Sequence, residues 1–178
     1  VPLRVTCLKA SDNYPNRYPQ LGKAMFKNSA DIELKHTRFL KEVIKNKEVY
    51  TLKNENGYVS SESNHFEDID EEPLNLQIFW SSKKEANVCS RNVWKKENFQ
   101  IDIIPLNKFL ENWCAGMHQD NVIVGTNFDH KLFGHEEEPL VLASQIIELV
   151  IKNQVSLEFQ DYNSIEEYLD LIKSHIQS

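Results

Sequence analysis

Residues 106–143 read LNKFLENWCAGMHQDNVIVGTNFDHKLFGHEEEPLVLA, and this stretch decides the fold. Pro105 stands just before apolar residues spaced i, i+3, i+4, i+7 and i+11, the pattern of a helix with one buried face. A short β-rich run at residues 121–124 follows, then a polar turn and a second helix opened by Pro139. A helix, a strand and a further helix so close together predict a domain in which both kinds of element pack on one core.

The flanking residues extend this pattern in both directions. An apolar period predicts a helix from about residue 31, and Ser164-x-x-Glu167 has the form of a capping box that starts a terminal helix. Residues 60–72 are polar and acidic, which indicates a long flexible loop. Runs rich in β-branched and aromatic residues predict strands at residues 49–52, 58–59, 74–80, 99–104 and 155–159. The Asn56-Gly57 turn between the first two favours a hairpin. We therefore predict an α+β fold with a mixed or antiparallel sheet and packed helices.

Length and composition fit one globular unit. The chain has 178 residues, 40% of them hydrophobic and 26% charged, with 5 Gly and 6 Pro. We expect a single domain at residues 31–178 after an N-terminal extension at residues 1–30. Met25 offers an alternative start, so residues 1–24 need not be native. No apolar run approaches the roughly 20 residues that cross a bilayer.

The three cysteines do not suggest a disulfide framework. Cys7, Cys89 and Cys114 are odd in number and lack the spacing of a zinc or haem site. We interpret them as reduced thiols of a cytoplasmic protein, with Cys114 buried.

Charge is distributed unevenly along the chain. Residues 1–53 carry 11 Lys and Arg against 5 Asp and Glu, whereas residues 54–82 carry 7 acids and no Lys or Arg. Residues 127–178 hold 10 acids against 3 bases. Solvated faces explain such runs in most proteins, but an acidic surface also attracts a basic partner. The overall charge of −7 disfavours nucleic acid as the partner.

The residues that could form a catalytic, metal or phosphate site are each explained better by an ordinary structural role. Cys114 and His118 stand at i, i+4 on a helix, but no third group orients the imidazole. The loop from Asp129 to His135 contains histidines without a preferred zinc spacing, so we expect surface histidines, no metal and no cofactor. The segment Gly125-Thr126-Asn127-Phe128-Asp129 follows a strand as a phosphate loop would, but it lacks the further glycines and the Lys-Ser/Thr ending. Asn127 and Asp129 are expected to hold a tight turn instead.

Several motifs resemble those of a bacterial domain family of uncharacterised function. They are Phe79-Trp80-Ser81, the helix with Cys89, Ile103-Ile104-Pro105-Leu106, Phe109-Leu110-x-x-Trp113, Val124-Gly125-x-Asn127 and Gly134-x-Glu136-x-Glu138-Pro139-Leu140-x-Leu142. The likeness covers about residues 34–152. It implies a small cytoplasmic α+β protein without established catalytic residues. Similar domains look like immunity proteins of contact-dependent growth inhibition, the neisserial type included, which bind and neutralise a toxin domain.

The resemblance and the acidic stretches together lead to one expectation for function. It is a non-catalytic bacterial immunity protein that occludes the active site of a cognate toxin, a nuclease being one candidate, without a nucleic-acid or membrane partner. A nuclease needs a basic cleft, and acidic side chains would take the place of phosphates there. The oligomeric state stays open. The expected contact residues are Glu67, Asp68, Asp70, Glu71, Glu72, Glu136 and Glu137.

Two alternatives from other classes stay open. One is a small hydrolase or ligand-binding enzyme that uses Cys114, His118 or the loop from Asp129 to His135. The other is a nucleic-acid-binding protein that acts through Lys41, Lys45 and Lys47, whose binding would fall steeply with salt.

Overall fold

The structure, a computed structural model, describes residues 29–177. Cys7, Met25 and nearly all of the predicted N-terminal extension lie outside this range. The first helix, α1 (Ser29–Asn46), begins two residues before the predicted domain boundary. It buries Phe39, Val43 and Ile44 on one side, as the apolar period predicted.

The first sheet has three strands in the order β2-β1-β5. Strand β1 (Glu48–Asn54) turns back through Glu55 and Asn56 into β2 (Gly57–Tyr58), and its residues 48–53 pair antiparallel with β5 (Gln100–Pro105). The hairpin prediction is confirmed. Tyr50 and Trp80 exchange backbone hydrogen bonds of 2.8 and 2.7 Å, which join this sheet to the second one.

The second sheet has four strands in the order β3-β4-β6-β7. Strands β3 (Ser60–Glu67) and β4 (Pro73–Phe79) form an antiparallel hairpin, β4 pairs in parallel with β6 (Ile123–Thr126), and β6 pairs antiparallel with β7 (His135–Glu137). One antiparallel and one mixed sheet confirm the predicted α+β class.

The remaining elements are helices. Helix α2 (Lys83–Asn92) follows β4, and α5 (Pro139–Lys152) and α6 (Ile165–Ile176) complete the chain. Between β5 and β6, α3 (Leu106–Lys108) continues through a π-helical segment (Phe109–Cys114) into α4 (Ala115–Gln119). The oxygen of Ser164 accepts a hydrogen bond from the amide of Glu167, so the predicted cap of α6 is confirmed.

The second sheet separates two apolar clusters. Phe79 and Val124 face the larger cluster, which α1, the π-helical segment, α5 and α6 complete. Leu76, Ile78 and Ile123 face a smaller cluster that contains Trp80, Trp94 and Phe128. Because both faces of β4 and β6 are covered, neither strand shows the simple alternation of an exposed sheet.

Two predictions of local structure are wrong. Residues 60–72 are strand β3 and a tight turn rather than a flexible loop, because a bulged edge strand can be polar on both faces. Residues 155–159 are not a strand, although Val155, Leu157 and Phe159 pack on the larger cluster. Side chains hold this segment in place of a neighbouring strand: Asn107 donates to the carbonyl of Glu158, and Lys47 to that of Ser156.

Candidate functional site

The turn between β3 and β4 presents an acidic surface, which we name the hairpin tip and define as residues 67–72. All six residues are exposed, and Ile69 is 99% exposed. The remaining five are Glu67, Asp68, Asp70, Glu71 and Glu72. The structure therefore brings together the five principal acidic residues of the predicted interface around one apolar side chain.

The hairpin tip has a defined conformation. The carboxylate of Asp68 accepts hydrogen bonds from the amides of Asp70 at 2.8 Å and Glu72 at 3.0 Å. The Asp68 amide donates to the carbonyl of Glu72 at 2.9 Å. Glu71 has a φ of 63°, the left-handed conformation such a turn needs. Asp68 thus holds the turn, while the other four carboxylates face solvent.

Glu136 has a structural role. Its side chain is 8% exposed, and its oxygens accept hydrogen bonds from the hydroxyl of Ser63 and from the backbone and side-chain amides of Asn64. Strands β3 and β7 are the two edges of their sheet, so this carboxylate ties one edge to the other. We leave Glu136 out of the proposed contact surface because its hydrogen bonds lie inside the chain.

Glu137 belongs to a hydrogen-bonded cluster between α1, β6, β7 and α5. Its Oε2 lies 3.3 Å from Nε2 of His135 and 3.2 Å from Nε2 of Gln145. His36 approaches Oε1 of Gln145 at 3.0 Å and the hydroxyl of Thr126 at 3.3 Å. The rings of His36 and His135 stack with their centroids 3.8 Å apart. We name these five side chains the histidine cluster.

Burial and charge shift the protonation equilibria of the histidine cluster. The pKa of His36 is lowered from 6.5, first because burial disfavours the charged ring and then because His135 is close. Burial by itself would raise the pKa of Glu137, but the hydrogen bonds from His135 and Gln145 outweigh it, so this pKa is lowered. The cluster therefore favours a neutral His36 beside a charged Glu137.

The prediction of surface loop histidines holds for one residue of the Asp129 to His135 segment. His130 is exposed in the loop, but His135 lies partly buried on strand β7. Within residues 29–177, no three His, Cys, Asp or Glu side chains are arranged to hold a metal ion.

Asn127 and Asp129 lie in the turn after β6 and bond to residues of other segments as well as to the turn itself. Buried Asn127, with a φ of 48°, accepts from the amide of Ser81 at 2.9 Å and donates to the carbonyl of Lys35 at 3.2 Å. Asp129 accepts from the backbone amides of residues 131 and 133 and pairs with Lys35 at 3.1 Å. This turn therefore fixes α1 and the start of α2 to the second sheet.

Phe128 is the apolar centre of the same turn. Its ring is 2% exposed, and its carbonyl accepts from Nε1 of Trp80 at 2.8 Å and from Sγ of Cys89 at 3.1 Å. A Cβ added at Gly134 would lie 2.0 Å from the ring, and one at Gly125 would lie 2.8 Å from it. The two glycines are therefore needed because the ring fills the space where their side chains would be.

The sulfur atoms are poorly suited to nucleophilic chemistry. Cys114 is fully buried, and burial raises the pKa of its thiol. Burial and the charge of Asp129 raise the pKa of Cys89 to about 12. Because the thiolate is the reactive form, both thiols are expected to react slowly near neutral pH. His118 is exposed one helical turn after Cys114, and partial desolvation of its ring, together with the nearby His175, lowers its pKa.

The basic residues of the nucleic-acid alternative are exposed. Lys41 and Lys45 lie one turn apart on α1, and Lys47 donates to the carbonyl of Ser156 at 2.9 Å. Acidic Glu42 lies between the first two in sequence, and its carboxylate accepts from the hydroxyl of Ser81.

A comparison with protein-family models matches residues 36–146 to a domain described as a protein of unknown function, DUF2750. This chain belongs to the DUF2750 family. The match begins at His36 and ends at Ile146, so it includes the smaller apolar cluster, most of the larger one, the hairpin tip and all five side chains of the histidine cluster. No curated protein and no solved structure matches the chain. Among the described residues of the DUF2750 protein, no helix is long and apolar enough to cross a membrane.

Sequence reasoning missed several residues that organise the site. His36 and His135 are 99 positions apart, and neither apolar periodicity nor a short motif joins them. Ser63 and Asn64 were assigned to a loop, so their bonds to Glu136 could not be expected. The Gly-x-Asn-Phe-Asp segment did carry a signal, because a left-handed turn favours Asn at such a position.

Proposed function

We propose that this protein is a non-catalytic binding protein whose hairpin tip docks on a basic surface of a partner protein. The main support for this proposal is the exposed Ile69, which is surrounded by the carboxylates of residues 67–72 on a turn with a defined conformation. An apolar anchor within a charged rim is a typical arrangement of a binding surface. Because the turn already has a defined conformation, less conformational entropy is lost on binding.

The partner class that fits this surface is a toxin domain with a basic active-site cleft, such as a nuclease. The carboxylates would occupy positions that the phosphates of a nucleic acid otherwise take, while Ile69 fills an apolar recess. This form of the proposal makes the chain a cytoplasmic immunity protein. It rests on the resemblance described above and on the net charge of −7.

Catalysis by the chain itself has less support. A hydrolase that uses Cys114 would need a reactive thiolate, but this thiol is fully buried. The hydroxyl of Thr126 contacts His36, but Thr126 is 0% exposed and no substrate can reach it without a rearrangement. Binding explains the exposed acidic hairpin tip, whereas neither enzymatic alternative does.

The decisive experiment is titration calorimetry against the carboxy-terminal domain of the protein encoded immediately upstream, with an assay of that domain's toxicity. We expect one-to-one binding that abolishes toxicity and weakens as salt is added. Absence of binding at low salt would contradict the proposal that the partner is a toxin domain.

A charge-reversal variant tests the hairpin tip itself. In this variant Glu67, Asp70, Glu71 and Glu72 become Lys, while Asp68 is kept because it holds the turn. We expect the association rate constant to fall roughly 10–100-fold at low salt, since opposed charges remove electrostatic steering. The matched control reverses four exposed acids elsewhere, Glu33, Glu97, Glu158 and Asp170, and so has the same net charge. Equal losses in both variants would place the interface away from the hairpin tip.

Ile69 is tested separately. Ile69→Ser should leave the fold unchanged, because the side chain is 99% exposed, and should mainly accelerate dissociation of the complex. The control is Val88→Ser, which removes a partly exposed apolar side chain from helix α2. An unchanged dissociation rate for Ile69→Ser would exclude it as the apolar anchor.

A further inference from the structure

Strand β7 takes part in two groups of hydrogen bonds, and neither group lies in the proposed interface. Its outer residues, His135 and Glu137, belong to the histidine cluster that holds α1 and α5. Its middle residue, Glu136, holds Ser63 and Asn64 on the opposite edge of the sheet. The histidine cluster and the strand that leads into the hairpin tip are thus joined through β7.

The hydrogen-bond partners of each side chain determine the proton positions in the histidine cluster. A charged Glu137 can only accept, so the amide nitrogen of Gln145 faces it and Oε1 of Gln145 faces His36. His36 must then carry its proton on Nε2, which leaves Nδ1 to accept from the hydroxyl of Thr126. His135 donates from Nε2 to Glu137. This arrangement has no place for a second proton on His36 unless the hydroxyl of Thr126 turns away.

The charged groups around His36 come from each element packed against it. His135 and Glu137 on β7 act on it directly, whereas β6 and α5 contribute the neutral Thr126 and Gln145. On α1 itself, the neighbouring Lys35 is paired with Asp31 and Asp129. If both rings were positively charged, Glu137 would thus be the one carboxylate close to them among the described residues.

We propose that the histidine cluster is a pH-sensitive latch, in which protonation of both stacked rings loosens the amino-terminal half of α1, strand β7 and the hairpin. Two positive rings 3.8 Å apart repel each other, and the stacking of these rings joins α1 to β7. Phe39, Val43 and Ile44 anchor the second half of α1, so the opening stays local. The lowered pKa of His36 places this transition on the acidic side of 6.5. As a control of binding, the latch rests on the proposed function of the hairpin tip.

Hydrogen exchange measured on the isolated chain tests the latch. After correction for intrinsic rates, amides of residues 33–36 and 62–66 should exchange several-fold faster at about pH 5 than at about pH 7.5, because protonation of the cluster raises the population of the open form. His36→Gln removes the titrating ring and should abolish this pH dependence. Glu136→Gln should keep the response in α1 but weaken it in β3, because its bonds to Ser63 and Asn64 are altered.

The matched control is His65→Gln, which removes an exposed histidine from β3 itself and should behave as the unmodified chain does. Loss of the pH response in this control, or its persistence in His36→Gln, would overturn the latch. If His36→Gln fails to fold, an NMR titration of the unmodified chain decides. Amide shifts of residues 63–64 should then follow the protonation of His36, and independent titration would refute the coupling.

These experiments separate the latch from the interface. Exchange is measured without any partner, so failure of the toxin proposal leaves the latch result intact. Conversely, the charge-reversal variant is assayed at about pH 7.5, where the latch is closed, so failure of the latch leaves the binding test intact.

Discussion

Gly134→Ala provides a test of how the turn after β6 is built. The new Cβ would lie 2.0 Å from Cδ1 of Phe128, whereas ordinary contacts lie at 3.4–4 Å. The ring, itself 2% exposed, would have to retreat by at least about 1.4 Å into the smaller apolar cluster. Overpacking of this kind costs about 1–3 kcal/mol, and complete loss of a buried phenylalanine costs about 3–5 kcal/mol. We therefore expect the free energy of unfolding to fall by about 2–4 kcal/mol.

Urea denaturation followed by tryptophan fluorescence measures this loss. Trp80 is a suitable reporter because its Nε1 donates to the carbonyl of Phe128. The melting temperature should fall by roughly 5–15 °C for a chain of this size. Gly116→Ala, a change inside helical α4, is the control and should be neutral or stabilise by up to about 1 kcal/mol.

A double-mutant cycle isolates the steric cause. In a Phe128→Ala background, Gly134→Ala should cost less than about 1 kcal/mol, because all three ring atoms that the Cβ meets are gone. The coupling free energy should be about 1–3 kcal/mol. Costs that add to within about 0.5 kcal/mol would refute the explanation, as would a stable Gly134→Ala single variant.

Three further predictions concern polar groups that are wholly or partly buried. Asn127→Ala removes an acceptor and a donor that join three segments, and it should lower the free energy of unfolding by about 2–4 kcal/mol in urea denaturation. Glu111 accepts from the amides of residues 160–161 through Oε1, while its buried Oε2 has no partner. Glu111→Gln should therefore preserve stability, whereas Glu111→Ala should cost about 1–3 kcal/mol and accelerate hydrogen exchange at those amides. The folded-state pKa of His36 lies below 6.5, so the unfolded chain takes up its proton first as the pH falls. The free energy of unfolding should decrease from 6.5 down to the folded pKa, and His36→Gln should flatten that part of the denaturation profile.

The elements that apolar periodicity indicates are the ones that bury one side against a core. The helix of residues 106–119 and α5 were predictable because their inward positions recur with helical spacing. Ser164 and Glu167 were predictable because a cap needs only residues close in sequence.

The remaining features depend on distant partners or on unusual backbone. Strand β3 was predicted to be a loop because Ser63 and Asn64 bond to a carboxylate 73 and 72 positions away instead of facing an apolar core. Residues 155–159 alternate as a strand does, but their backbone is bound by side chains of other segments. The histidine cluster was not predictable, since His36 and Gln145 are 109 positions apart. The acidic residues of the hairpin tip were predicted as a group, but their turn was not.

The parallel pairing of β4 with β6 determines the order in which the chain can assemble. Leu76 pairs with Ile123, which lies 47 positions later, so the second sheet cannot be completed until that whole segment has been synthesised. Until then, β4 has only β3 beside it, and apolar side chains on both of its faces are uncovered. A nascent chain that ends near residue 120 would expose a strand edge open to another chain. Synthesis past residue 126 closes this strand edge, but the apolar face toward the larger cluster is covered only when α5 and α6 have also been made.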